Sequence, residues 1–210
     1  SSSLVALAAD PREAVQQRPL VLSGKRLYLR RYWTYERRID NLLRERLAAH
    51  EATPSDLLQR LTELFGPART GEVIDWQKLA CALATRGAFS IVTGGPGTGK
   101  TTTVVRLLAL LQAPAVEAGK PLRIRLAAPT GKAAARLTES ISQQVRTLKV
   151  TQAIRDKIPS DVTTVHRLLG SRPGTRHFRH HAANRLPLDV LVVDEASMID
   201  LEMMANLLDA

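Results

Sequence analysis

Cysteine, aromatics, acids and long apolar runs are all scarce in this 210-residue chain, and each scarcity removes a class of protein. The one cysteine, Cys81, has no partner for an internal disulfide, so a disulfide-stapled secreted scaffold is excluded and a reducing, cytoplasmic compartment is expected. It falls in a helical run at 76–85 and reads as a small buried apolar group. With aromatics at 4%, the core has to be aliphatic, for which 44% apolar content suffices. No apolar stretch reaches the length of about 20 residues needed to cross a bilayer, so no membrane association is expected. The run at 4–9 is also too short for a signal-peptide h-region.

Acids are outnumbered 20 to 30 by Lys and Arg, for a formal net charge of +10. Between 120 and 185, 14 Lys and Arg stand against 3 acids, so the remainder is close to neutral. Such concentration suggests a polyanionic partner, most often nucleic acid, although composition alone also allows a solvated basic face.

What is present in strength is a glycine-rich stretch, AFSIVTGGPGTGKTT at 88–102, which predicts a buried strand, a loop and a helix. Gly94, Gly99, Lys100 and Thr101 meet the pattern G-x-x-x-x-G-K-[ST], with Ile91 and Val92 before it and the apolar run from Val104 after it. The backbone at Gly95, Pro96, Gly97, Thr98 and Gly99 can turn inward around a phosphate, while the helix N-terminus at Thr101 and Thr102 adds its positive end. Lys100 supplies a mobile charge for β/γ oxygens, and the Thr101 hydroxyl is placed for Mg²⁺. ATP and Mg²⁺ are therefore the expected cofactors.

A second acidic signature lies downstream. Leu188 to Val193 predicts a buried strand that ends in Asp194 and Glu195, the form of a Walker B element. Asp194 is expected to hold Mg²⁺ through water, and Glu195 to orient and deprotonate an attacking water.

The rest of the chain organises around these two. Residues 1–66 read as a separate, mainly helical unit: a hairpin about Ser23-Gly24-Lys25, a helix at 32–49 with Ile39, Leu42, Leu43 and Leu47 on one face, and another from an N-cap at Ser55 to Gly66. Tyr28, Tyr32, Trp33 and Tyr35 could stack on bases but fit packing better. A linker follows at 66–72. Just before the glycine loop, Gln77 could read adenine by donating to N7 and accepting from the N6 amine; an exposed helical glutamine is the plainer reading. A further strand at 122–128 leads into Pro129-Thr130-Gly131-Lys132 and a helix, a loop at the carboxyl edge where α/β sheets bind ligands. Thr130, the Gly131 amide and Lys132 could hold a DNA phosphate, or form an ordinary βα turn. Residues 162–169 read as a short capped helix carrying Thr164 and His166. His177, His180 and His181 lack a second Cys/His pair and fit a basic hairpin at 178–186 better than a metal site.

Taken together, Trp76-Gln77, GGPGTGKTT at 94–102, LAAPTGKAAARL at 126–137, TTVHRLLG at 163–170 and LVVDEASM at 191–198 resemble, in order, the motifs of superfamily 1 DNA helicases, and within them the RecD family. The resemblance covers about 20–208. It implies a RecA-like fold, Gln77 as the Q-motif residue, and Pro129, Thr130, Gly131 and Lys132 with Thr164 and His166 along single-stranded DNA. It also implies 5′ to 3′ translocation and a heterotrimer with RecB- and RecC-type subunits. The expected architecture is an α/β P-loop fold, a mostly parallel sheet with helices on both faces. The division expected is 1–66 as the end of a partner-binding domain and 67–210 as a first motor domain. A start at Ser1 and a stop inside a helical pattern at Ala210 suggest part of a longer polypeptide, with the motifs that complete hydrolysis beyond it. Two other readings remain open: an AAA+ remodelling or clamp-loading ATPase, and a docking subunit that uses ATP binding as a switch.

Overall fold

The computed structural model describes residues 4–8, 18–49, 54–66, 74–95, 97–172, 174–175 and 177–210. Pro96 and residues 67–72 of the expected linker lie outside the described residues. The expected hairpin is present as β2 (Leu20–Ser23) and β3 (Arg26–Leu29), paired antiparallel, with β1 (Val5–Leu7) added parallel to β2. Its turn uses Gly24 at φ 58°, a left-handed position that glycine takes without strain. Helix α1 (Arg30–Ala48) starts two residues earlier than the sequence suggested, because Arg30 continues directly from β3. It packs on α8 (Leu201–Asp209), where Arg38 pairs with Asp209 and Arg46 Nη2 donates to the Leu208 carbonyl at 2.7 Å. Leu47, expected on the packed face, is 57% exposed.

Helix α2 (Leu57–Phe65) corrects the expected cap at Ser55. The N-cap position falls on Asp56, and its carboxylate accepts from Arg60 Nε at 2.7 Å instead of capping the helix. Arg60 also donates to Glu117 at the end of α4 (Lys100–Glu117), and Leu57 and Leu61 bury against Cys81 of α3 (Trp76–Ala84) and Leu110 of α4. Burial pushes the Cys81 thiol up to about 12, so it stays protonated and packs as an apolar group.

The second sheet holds β5 (Val162–Thr164), β4 (Ile124–Ala128) and β6 (Val190–Val193) in that order, all parallel. Alternation along β4 sends Ile124, Leu126 and Ala128 to one face and Ala127 to the other. The first face is covered by α4, α5 (Gly131–Thr147) and the short α6 (Gln152–Arg155), around fully buried Leu108 and Ile141. The second carries α7 (Val165–Leu169) and α8 through Leu169, Met203 and Leu207. Helices thus lie on both faces of a parallel sheet, as expected. Gln112 ties the first layer together: buried inside α4, it donates to the Leu122 and Lys157 carbonyls and accepts from the Leu122 amide.

Two strand expectations need correction. Residues 88–95 do not form the buried strand read from AFSIVT; they run without regular pairing, and Ile91 is 79% exposed. An apolar strand is stable inside a sheet only when its edges are paired and its faces covered, and this segment stands off β6 across a cavity of about 690 Å³ lined by Ser90, Val92 and Val190 to Val193. For the same reason β6 is half-buried along its length rather than buried.

The starts of β4 and β6 are joined by Arg123 and Asp189, whose carboxylate accepts from the Arg123 backbone at 2.7 Å and its guanidinium at 2.8 Å. These hydrogen bonds hold the Asp189 carboxyl at about 2, below the usual carboxylate range. A depressed folded-state value means that the unfolded chain binds the proton first as pH falls. The stability from this pair is therefore complete above about pH 4 and lost as pH drops towards about 2. Asp189→Asn should flatten that part of a profile of urea midpoint against pH between 2 and 5; an unchanged slope would assign the acid sensitivity elsewhere.

Candidate nucleotide site and nucleic-acid interface

The glycine loop ends in a left-handed N-cap, Gly99 at φ 80° and ψ 26°, from which α4 departs at Lys100. Gly97 is also left-handed, at φ 76°. Gly94 is needed for a different reason: a Cβ there would stand 2.7 Å from Thr98 Oγ1, which donates to the Gly95 carbonyl at 2.9 Å. Lys100 curls back over the loop, its ammonium donating to the Gly94 and Gly95 carbonyls at 2.6 and 2.9 Å. No carboxylate is among those partners, so its charge remains available to an anion. The amides of Lys100, Thr101 and Thr102 stand in the first turn of an 18-residue helix, where backbone donors have no intrahelical acceptor. Thr102 donates its hydroxyl to Gln144 Oε1 at 3.1 Å, which ties the start of α4 to α5.

Asp194 follows β6, and its amide donates to the Ala127 carbonyl at 3.0 Å, extending the ladder by one residue. The half-buried Asp194, Lys100 and Thr101 line the same cavity. That cavity runs the length of β6, from Asp189 to Asp194, and an ammonium, a hydroxyl and a carboxylate among its lining are the group types a Mg²⁺-bound polyphosphate takes, since the substrate supplies most of the metal's oxygens. Glu195 is exposed and is the one described non-glycine residue with positive φ, at 49°. Backbone strain of this kind clusters at active sites, ligand clamps and switch regions.

Gln77 lies beneath the glycine loop. Its Nε2 donates to the Thr98 carbonyl at 3.0 Å, and its Oε1 lies 3.5 Å from Arg106 Nη1, so its amide braces the loop from beneath Gly99. Arg106 in turn lies over the Phe65 ring at 4.5 Å. Sequence reasoning passed over Arg106, Phe65 and Gln144; the available signal was Arg106 as the lone charge in the apolar run 104–111.

On the same sheet edge, Thr130 caps α5 by accepting from the Ala133 amide at 3.2 Å, and Thr164 caps α7 by accepting from the Arg167 amide at 3.2 Å. β4 and β5 are adjacent and parallel, with Ala128 opposite Thr164, so the two caps are neighbours. Gly131, Lys132 and His166 are exposed beside them, and Pro129 is half-buried. His166 meets Phe178 edge-on at 6.2 Å. Phe178 opens the basic segment, which turns back through antiparallel bridges Ser171 to Phe178 and His181 to Asn184. Among the described residues, no group of three or more His, Cys, Asp or Glu is placed to hold a metal ion by itself.

Several known proteins are similar to this chain in sequence. The profile of the AAA domain family matches residues 77–210. The chain belongs to the AAA domain family. It is 48% identical to the RecBCD enzyme subunit RecD of Mycolicibacterium smegmatis over 99% of this chain and 36% of that protein. It is 42% identical to the same subunit of Haemophilus influenzae over 98% of this chain and 32% of that protein. The ATP-dependent RecD2 DNA helicase of Deinococcus radiodurans is 39% identical over 57% of this chain and 13% of that protein. The AAA chain is thus RecD-like throughout, and spans about a third of the length of the RecD relatives it matches.

Proposed function

We propose that this RecD-like chain carries the ATP site and part of the DNA track of a helicase subunit. The observation that supports this best is that Lys100, Thr101 and Asp194 line one cavity, with the capped loops at Thr130 and Thr164 following β4 and β5 beside β6. Lys100 binds phosphate oxygens, Thr101 and Asp194 hold Mg²⁺, and Glu195 takes the proton from the attacking water. When bound, Mg²⁺ supplies neutralisation of charge on the transferring phosphoryl group. Thr130, Lys132, Thr164 and His166 hold the phosphates of a single strand. In this reading the protein moves 5′ to 3′, works with RecB- and RecC-type subunits in double-strand break processing and recombinational repair, and is cytoplasmic. Residues 1–66 end a partner-binding domain and 67–210 form the first motor domain. No described helix is long and apolar enough to cross a membrane.

Stimulation of ATP hydrolysis by single-stranded DNA in the full-length protein tests the reading. Hydrolysis indifferent to DNA would favour a remodelling ATPase, and nucleotide binding without turnover would favour a docking switch. The DNA track makes its own prediction. Lys132→Ala should lower the slope of log affinity against log salt for a short oligonucleotide by about 0.7, the share of one phosphate. Arg44, 75% exposed and paired with Asp40 on α1, should leave the slope unchanged when replaced by alanine. A reduced slope for Arg44→Ala with none for Lys132→Ala would put the DNA on the other face.

A further inference from the structure

The underside of the nucleotide loop is held by side chains that begin outside it. Gln77 meets the loop backbone at the Thr98 carbonyl; Arg106 faces the other end of its amide; the Phe65 ring supports the Arg106 guanidinium. Phe65 is the last residue of α2, which is fixed against α3 and α4 by Leu57 and Leu61 and by the Arg60 to Glu117 pair. A continuous series of contacts thus runs from α2 to the backbone that cradles phosphate. We propose that Arg106 and Phe65 are positioning residues for this loop, acting through Gln77 to hold it in its binding conformation. The proposal rests on the reading of the loop as a nucleotide site.

The physical reason is entropy. A loop with glycines at 94, 95, 97 and 99 loses more conformational freedom on closing around a phosphate than ordinary backbone does. A brace already bonded to Thr98 reduces that loss before the ligand arrives, which favours binding in ground state and transition state alike. Removing the brace should therefore weaken binding and leave the chemical step unchanged.

The test uses the full-length protein, with a fluorescent ADP analogue for Kd and steady-state ATP hydrolysis for KM and kcat. Arg106→Met keeps the stem against Phe65 but removes the donor. It is expected to raise Kd and KM about three- to tenfold, the size of one lost hydrogen bond, with kcat within about twofold. Phe65→Leu should shift both constants the same way by less, and should add little to Arg106→Met because both act through one contact. Arg106→Lys, which can still donate to Gln77, should recover most of the loss. Unchanged Kd in both Arg106→Met and Phe65→Leu, or a fall in kcat at constant KM, overturns the proposal. Should Arg106→Met not fold, Phe65→Leu decides alone, since leucine preserves the apolar packing. An unmutated protein that binds no nucleotide overturns the site reading and this inference together, which separates that failure from failure of the brace.

Discussion

Full-length protein carrying Lys100→Ala should lose both nucleotide binding and hydrolysis, whereas Glu195→Gln should bind nucleotide normally and fail to turn it over. The structure gives the two side chains different duties. Lys100 sits on the Gly94 and Gly95 carbonyls with its charge over the loop, so it serves the ground state and the transition state together. Removing a preorganised charge of this kind costs roughly 10²–10³ in rate, and here it weakens affinity as well. Glu195 stands outside the loop, exposed and in a left-handed conformation, and among the described residues it makes no hydrogen bond to the loop. Its loss removes only the acceptance of a proton, worth roughly 10²–10⁴ in kcat. The measurements are equilibrium binding of a fluorescent nucleotide and steady-state hydrolysis for each variant. Hydrolysis by Glu195→Gln at the parental rate would mean that another group is the base.

The parts of this site that could be read from the chain are those in which the backbone dictates the residue. Gly97 and Gly99 are left-handed, and Gly94 has no room for a Cβ, so the loop pattern states its own geometry. The caps at Thr130 and Thr164 are equally local, because each side chain bonds an amide three residues on. What misled was tertiary. The run 88–93 has the composition of a buried strand, but composition does not say whether a neighbour pairs with it, and here β6 does not. Ser55 and Asp56 are both good caps; Arg60, one turn away, claimed the Asp56 carboxylate. The contacts of Gln77 are tertiary as well. In the fold its amide is engaged by Thr98 and Arg106, a pairing that joins residues 21 and 29 apart and that no local pattern announces.

Gly99→Ala should lower nucleotide affinity by roughly 30- to 140-fold, for two additive reasons. An alanine held at φ 80° occupies the left-handed region, which costs an L-residue about 1–2 kcal/mol. Its Cβ would also stand 2.5 Å from Gln77 Nε2, too close for any contact, so the Gln77 side chain has to leave and its bond to the Thr98 carbonyl is lost, at about 1 kcal/mol. The sum, about 2–3 kcal/mol, converts to the stated range, since each 1.4 kcal/mol is tenfold. Gly131→Ala is the matched control: that glycine has no positive φ and a Cβ there meets nothing within 4 Å, so nucleotide affinity should be unchanged. Titration of the same fluorescent nucleotide checks both. The double variant Gly99→Ala with Gln77→Ala relieves the collision but keeps the backbone strain, and should bind no worse than Gly99→Ala alone. Parental affinity in Gly99→Ala would show that the loop can bind phosphate without its left-handed N-cap, and that the contact beneath it carries no share of the affinity.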